Sequence, residues 1–149
     1  MMISIRKAKL GDEGAIFDLI NQLALYEKEP QEVTNTIPEL RKHLFEDQIC
    51  SAIVAIANKN IIGFALHYTS YSTWKGRCLY LEDFYVKPEY RKHGVGSMLF
   101  EETINIAKSI KAKRLDWQVL DWNEIAINFY KKQGTALDNS WINGRISFD

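Results

Sequence analysis

The chain has 149 residues, 46% hydrophobic and 12% aromatic, so it is long enough to bury the core of one ordinary domain. Its 19 basic and 19 acidic residues give a formal net charge of zero, which argues against charge-driven binding to nucleic acid or to an anionic membrane. We therefore expect a single domain spanning residues 1–149, with no nucleic-acid or membrane partner.

Cysteine, histidine and hydropathy patterns exclude other classes. Cys50 and Cys78 lie in apolar runs, without the spacing of a disulfide framework or of metal ligands. His43, His67 and His93 show no ligand spacing to one another. No run approaches the roughly 18 apolar residues of a membrane span, and the first residues lack the apolar segment of a signal peptide. These patterns predict a cytoplasmic protein without a metal site.

The first third of the chain predicts a strand and two helices. Residues 3–7 read as a short strand, and Leu10-Gly11-Asp12 as a turn with a helix cap. Apolar residues between Ile16 and Ala24 recur at helical spacing, which predicts a helix ending within residues 27–30. Thr36-Ile37-Pro38 predicts the start of a shorter helix that runs to about residue 45, because a capping residue precedes a first-turn proline.

Three apolar, β-branched runs predict an antiparallel sheet. Residues 50–57 and 61–68 are separated by Asn58-Lys59-Asn60, which favours a hairpin. Residues 71–76 are expected to form a loop, and residues 78–86 a third long strand.

A basic, glycine-containing segment follows the third strand. It reads Arg91-Lys92-His93-Gly94-Val95-Gly96-Ser97 and leads into an amphipathic helix. Glycines let an anion approach the backbone, and the helix N terminus directs N–H groups and a positive dipole end at the same place. The glycines alone fit a tight turn equally well, but together with the two cations they point to a pyrophosphate-bearing cofactor.

The remaining elements complete the fold prediction. The helix after Gly96 is followed by a strand at residues 115–119, and such a crossover makes the two strands parallel. Asn123 is expected to cap a last helix that ends before Gly134. The pattern predicts an α+β fold with a mixed sheet and helices on both faces.

Three segments, in order, resemble the GCN5-related N-acetyltransferase (GNAT) superfamily. They are Tyr80-Leu81-Glu82-Asp83-Phe84-Tyr85-Val86, Arg91-x-x-Gly94-x-Gly96, and the stretch from Asn123-Glu124 to Phe129-Tyr130-Lys131-Lys132-Gln133-Gly134. Leu23-Ala24-x-Tyr26-Glu27 and Tyr71-x-x-Trp74 make the chain most similar to the spermidine/spermine (diamine) N-acetyltransferase group. The resemblance implies a three-layer fold, a mostly antiparallel sheet whose parallel strand pair is splayed for acetyl-CoA, and a homodimer.

The resemblance also implies a set of cofactor-binding residues and no metal. The backbone of Phe84, Tyr85 and Val86 would pair with the pantetheine arm of acetyl-CoA. The pyrophosphate would lie against Arg91, Lys92, His93, Gly94, Val95, Gly96 and Ser97. Asn123, Ala126 and Tyr130 would contact the cofactor from the other side.

Two residues are candidates for the chemistry. A primary amine, with a pKa of about 10, must lose a proton before it attacks the thioester. Glu82 is the candidate base, acting through a water, and the resemblance gives Tyr130 the role of the acid that protonates the departing CoA thiolate. Taken by themselves, Glu82 and Asp83 also fit a solvated strand end, where they face opposite sides unless a bulge intervenes, and Tyr130 also fits a core residue.

The resemblance places Tyr26, Glu27, Glu82, Asp83 and Trp74 around the amine. Glu27 equally fits a solvated charge at a helix end. Where the polyamine-acetylating members have Asp-Pro, this chain has Ser72-Thr73, and its C-terminal segment is shorter. A small diamine or a lysine-like amino acid is therefore expected to fit at least as well as a polyamine.

The leading hypothesis is an acetyl-CoA-dependent N-acetyltransferase that moves the acetyl group directly to a primary amine of a small molecule. Two alternatives stay open at this point. One is a peptide or protein N-acetyltransferase on the same scaffold, and the other is a non-catalytic acyl-CoA sensor.

Overall fold

A computed structural model describes residues 1–148, and its helices and strands follow the predicted order closely. The elements are strand β1 (Ile3–Lys7), helix α1 (Glu13–Tyr26), helix α2 (Ile37–Phe45), strands β2 (Ser51–Ala57), β3 (Asn60–Ser72) and β4 (Gly76–Val86), helix α3 (Val95–Ser109), strand β5 (Leu115–Trp117) and helix α4 (Glu124–Lys132). Short 3-10 turns occur at Pro30–Glu32 and Pro88–Tyr90. No helix within residues 1–148 combines the length and the apolar character needed to cross a bilayer.

The chain forms two compact units. The first comprises Met1–Gln118 and contains the whole sheet with α1, α2 and α3, and the second begins at Val119 and contains α4.

The sheet is mixed, as predicted. Its strands lie in the order β1-β2-β3-β4-β5, and the pairs β1–β2, β2–β3 and β3–β4 are antiparallel. The crossover through α3 makes β5 parallel to β4, with Leu79 opposite Leu115 and Leu81 opposite Trp117. β4 continues to Val86 beyond the last parallel pair, so its final residues lie past the parallel ladder.

Helices pack on both faces of this sheet, as predicted from the order of the elements. On one face, Val54 and Phe64 form a core with Ile16 and Leu19 of α1 and with the leucines of α2. On the other face α3 approaches so closely at Gly63 that a Cβ atom there would lie 3.3 Å from the side chain of Leu99. Helices α1 and α3 both contact β4.

The predicted loop at residues 71–76 was wrong in extent. β3 continues to Ser72 and β4 begins at Gly76, and these two residues are directly paired. Only the three residues between them turn, and the hydroxyl oxygen of Ser72 accepts bonds from the backbone N–H groups of Trp74 and Lys75 at 3.2 and 3.1 Å. The hairpin extends because antiparallel pairing satisfies backbone groups that a loop would leave to solvent.

The predicted helix caps have different outcomes. Thr36 accepts a bond from the backbone N–H of Glu39 at 3.3 Å, and Asn123 accepts one from Ala126 at 3.2 Å, so both caps are confirmed. Asp12 makes no side-chain bond to its helix. Its carboxylate instead pairs with the Arg6 guanidinium through two bonds, of 2.7 and 3.1 Å, and such a bidentate pair joins two opposite charges.

Candidate active site

A β-bulge lies at Glu82. Leu66 of β3 opposes Asp83, whereas the next residue, His67, opposes Leu81, so Glu82 has no opposite residue in β3. Such a bulge interrupts the strict alternation of side chains and increases the local twist. Glu82 is exposed and Asp83 is partly buried. From the sequence, both carboxyl groups were expected to act on one region only if a bulge intervened. The structure contains that bulge.

Three carboxyl groups influence one another at this bulge. Burial, then the charges of Glu82 and Glu27, raises the pKa of Asp83 to about 7. Burial and the charge of Glu82 also raise the pKa of Glu27, which is half-buried at the end of α1. We call Glu27, Glu82 and Asp83 the carboxylate cluster. Its members repel one another when ionised, so a cation placed among them would be stabilised.

Two tyrosines to which sequence analysis gave no role in the site border the carboxylate cluster. The Tyr68 hydroxyl donates to Oε1 of Glu82 at 3.5 Å, and the Tyr68 and Tyr80 rings stack with their centroids 5.3 Å apart. Burial and the charge of Glu82 raise the pKa of both phenols. Their proximity depends on the register of β3 with β4, which directly pairs them. Strand alternation alone could have placed each ring on a face but not the two together.

The Arg91 side chain contacts the end of β4 and the last turn of α1. Its Nε donates to the backbone oxygen of Val86 at 3.0 Å. Its Cζ atom lies 5.6 Å from the ring centroid of Tyr26 and 5.4 Å from that of Tyr85. The Tyr85 hydroxyl reaches Gln22 at 3.4 Å. Arg91 thus ties the end of α1, which carries Tyr26, to the end of β4.

A cavity of about 570 Å³ adjoins these contacts of Arg91. Its wall is formed by the last turns of α1, by Tyr85 and by the 3-10 turn after β4. Tyr26, the last residue of α1, therefore precedes Glu27 of the carboxylate cluster and lines a space large enough for part of a small ligand.

The glycine segment adopts a conformation suited to an anion. Lys92 and Gly94 have φ angles of +68° and +79°, and Gly94 is the N-cap of α3. As a glycine, Gly94 provides no side-chain cap for this helix. Lys92, His93 and Gly94 are exposed, Gly96 is half-buried and Val95 is packed beneath. Backbone N–H groups at such a terminus are favourable partners for phosphate oxygens.

The remaining predicted residues lie in other places. Trp74 sits in the turn between β3 and β4 and is 82% exposed. In the second unit, Asn123 caps α4 through Ala126, and Tyr130 is the buried residue of that helix. The Tyr130 ring meets Phe129 edge-on at 5.4 Å. Among residues 1–148 no group of three or more His, Cys, Asp and Glu side chains is arranged to hold a metal ion.

Both a family model and individual relatives match this chain. A model of the acetyltransferase (GNAT) family matches residues 15–135. Thialysine N-epsilon-acetyltransferase of Bos taurus is 41% identical over 141 residues, which cover 89% of this chain and 83% of the cattle protein. Spermidine/spermine N(1)-acetyltransferase-like protein 1 of Homo sapiens is 34% identical and covers 91% of this chain, but only 21% of the human protein is matched.

Solved structures agree on the fold. An aminoglycoside acetyltransferase from an uncultured soil metagenomic sample superimposes with a TM-score of 0.82, covering 99% of this chain and 97% of its own. At 16% identity this likeness supports the three-layer architecture alone.

Proposed function

The chain belongs to the acetyltransferase (GNAT) family and is an N-acetyltransferase, and we propose that it moves an acetyl group from acetyl-CoA directly to a primary amine of a small molecule. The acceptor is a diamine, a polyamine or a lysine- or thialysine-like amino acid. The observation that carries this proposal is the carboxylate cluster at the β4 bulge.

The carboxylate cluster is suited to an ammonium group. Asp83 has a pKa of about 7 because it is partly desolvated beside Glu82 and Glu27. An incoming cation lowers this repulsion and is itself paired, so part of the cost of desolvating it is offset. The stacked rings of Tyr68 and Tyr80 beside Glu82 present an aromatic wall that also favours a cation.

The size of the acceptor follows from the surroundings of the carboxylate cluster. Two of the three carboxyl groups lie at the bulge and the third lies at the end of α1. Together they can pair with a single ammonium group, or with the amine and a second positive charge of a short molecule. Ser72 supplies no negative charge at the end of β3. Relatives named for thialysine acetylation cover most of this chain. A small amine of the thialysine or lysine type is therefore our first choice of acceptor.

The reaction needs a base because the carboxylate cluster, while it attracts the ammonium, also holds the proton on it. We assign the proton transfer to exposed Glu82, acting through a water, with Asp83, Glu27, Tyr26 and Trp74 as acceptor-binding residues. A base close to the amine makes the lone pair available in the step that forms the new N–C bond.

The cofactor roles come from the family pattern. We assign the pantetheine arm to the backbone of residues 84–86 and the pyrophosphate to residues 91–97, with Asn123, Ala126 and Tyr130 as further contacts. Bound acetyl-CoA supplies the thioester carbonyl. An N–H group released from pairing by the bulge would stabilise negative charge on that carbonyl oxygen. Tyr130 would donate the proton that the departing thiolate takes up.

Steady-state kinetics test this function. CoA release from acetyl-CoA is measured with putrescine, spermidine, spermine, lysine, thialysine and a lysine-bearing peptide at fixed salt. We expect selective turnover of a small amine, with Glu82→Gln lowering kcat and the exposed α3 variant Glu101→Gln leaving it unchanged. Turnover of the peptide alone would overturn the small-molecule acceptor. Tight acetyl-CoA binding without turnover of any amine would favour a sensor.

Assembly and location complete the proposal. We propose one N-acetyltransferase domain and a cytoplasmic location, as the composition and hydropathy patterns predict, and a homodimer, as the family resemblance implies. Sedimentation equilibrium of the purified chain distinguishes a dimer from a monomer.

A further inference from the structure

A second cavity, of about 560 Å³, lies between α3 and the sheet, at the end where β1 finishes and β2 begins. We call it the His67 cavity and define it by His67, Lys7, Ile53, Leu79 and Ile106. Its volume is in the range of small-molecule sites. Tyr68 also borders this cavity. Its side chain follows that of His67 in the strand, so it faces the opposite side of the sheet, where its hydroxyl bonds Glu82. The His67 side chain therefore lies on the opposite face of the sheet from the Tyr68–Glu82 contact.

His67 has an unmet hydrogen-bonding requirement. The residue is only 6% exposed, and within residues 1–148 its Nε2 atom is buried without a hydrogen-bond partner. A buried polar atom in this state costs free energy that a bound group or an ordered water removes. Burial and the charge of Lys7 both lower the pKa of His67, which favours the neutral ring, and Nε2 can then carry a proton for donation.

The charges around the His67 cavity favour an anion. Lys7 forms no salt bridge within residues 1–148, whereas neighbouring Arg6 is held by Asp12 through bonds of 2.7 and 3.1 Å. Glu102 is the single acidic residue among those that line the cavity. A carboxylate near Lys7 gains a charge partner and can accept from the His67 ring.

The lining also includes polar residues such as Gln48, Ser51 and Thr69, but its largest group is aliphatic. It includes Ile5, Ile49, Ile53, Leu79, Ile106 and Ile110. Such a surface binds a short hydrocarbon chain through burial of apolar area.

We propose that the His67 cavity binds a small carboxylic acid with a short aliphatic chain, its carboxylate between Lys7 and His67 and its chain against the isoleucines. The site has a structural connection to the bulge, because His67 pairs with Leu81 immediately before Glu82. A bound acid would thus contact strands β3 and β4 from the face opposite the carboxylate cluster.

The imidazole resonances of the three histidines test the proposal. Hexanoate is titrated into the protein with CoA present, so that the cofactor site is filled, and His43 and His93 serve as internal references. We expect a saturable shift of the His67 resonances only. Hexylammonium, which has the same chain and the opposite charge, is expected to bind at least about tenfold more weakly, as the loss of one charge-assisted contact predicts.

Matched variants locate the anion. Lys7→Glu is expected to weaken hexanoate binding about tenfold or more, while Lys9→Gln, an exposed lysine outside the cavity lining, leaves it unchanged. Circular dichroism checks that Lys7→Glu is folded, and Lys7→Gln provides a milder change with an intermediate effect. An unshifted His67, equal shifts of all three histidines, or equal binding of hexylammonium would overturn the proposal and leave the cavity to water.

Discussion

The raised pKa of Asp83 has a direct consequence for stability. The pKa of Asp83 is raised to about 7 in the folded protein from its ordinary value of 3.8, so the folded state holds the proton over a wider pH range than the unfolded chain. Between those values the folded chain binds more protons than the unfolded chain, so the free energy of unfolding falls as the pH rises. The ionised carboxylate is destabilising, and its full cost is reached above about pH 7.

The magnitude follows from the two pKa values. A difference of about three units corresponds to about 4 kcal/mol at about pH 8, and to between 1 and 2 kcal/mol at about pH 5. Asp83→Asn keeps the shape of the side chain and removes the charge. We therefore expect this variant to gain stability relative to the native chain by about 2–4 kcal/mol at about pH 8, with a smaller gain at about pH 5. The lower figure allows for relaxation around the ionised carboxylate.

Urea unfolding at these two pH values measures the effect. Asp121→Asn, which removes an exposed aspartate, is the control and is expected to change the free energy of unfolding by less than about 0.5 kcal/mol. The gain at Asp83 should coincide with weaker amine binding, because the same charge is proposed to hold the ammonium. A stability difference that does not grow with pH would refute the assignment of a raised pKa to Asp83.

Three further variants test other parts of the structure. Tyr130→Phe is expected to lower kcat about a hundredfold or more while leaving the acetyl-CoA dissociation constant unchanged; equal loss in both would exclude the general-acid role. Gly63→Ala places a Cβ atom 3.0 Å from the backbone oxygen of Tyr85, so chemical unfolding should show a loss of about 1–3 kcal/mol, and an unchanged midpoint would contradict this packing. Arg91→Lys removes the Nε donor to Val86 but keeps the charge; we expect a loss of about 1 kcal/mol in unfolding experiments, with a further loss in Arg91→Gln, whereas equal stabilities would show that neither contact matters.

Much of the fold was accessible from local patterns. Helical spacing and capping residues depend on neighbours a few positions away, so α1, α2 and α4 were predicted with nearly their observed bounds. The confirmed caps at Thr36 and Asn123 are examples. The boundary of the β3–β4 hairpin was missed because Tyr71 and Ser72 are polar enough to read as a loop until their partners Arg77 and Gly76 are known.

At the candidate site, the contributions of the sequence and of the tertiary structure are easier to separate. The sequence by itself identified the family and supplied the candidate residues for the chemistry, because motifs at fixed spacing are local. Only the tertiary structure decided that Glu82 bulges, that Asp83 is desolvated among other carboxyl groups, and that Tyr68 stacks on Tyr80. Strand register depends on how two faces of the sheet pack against helices distant in the chain, and a shift of one residue reverses every side chain. Charge coupling depends on that register, so it is absent from any local pattern.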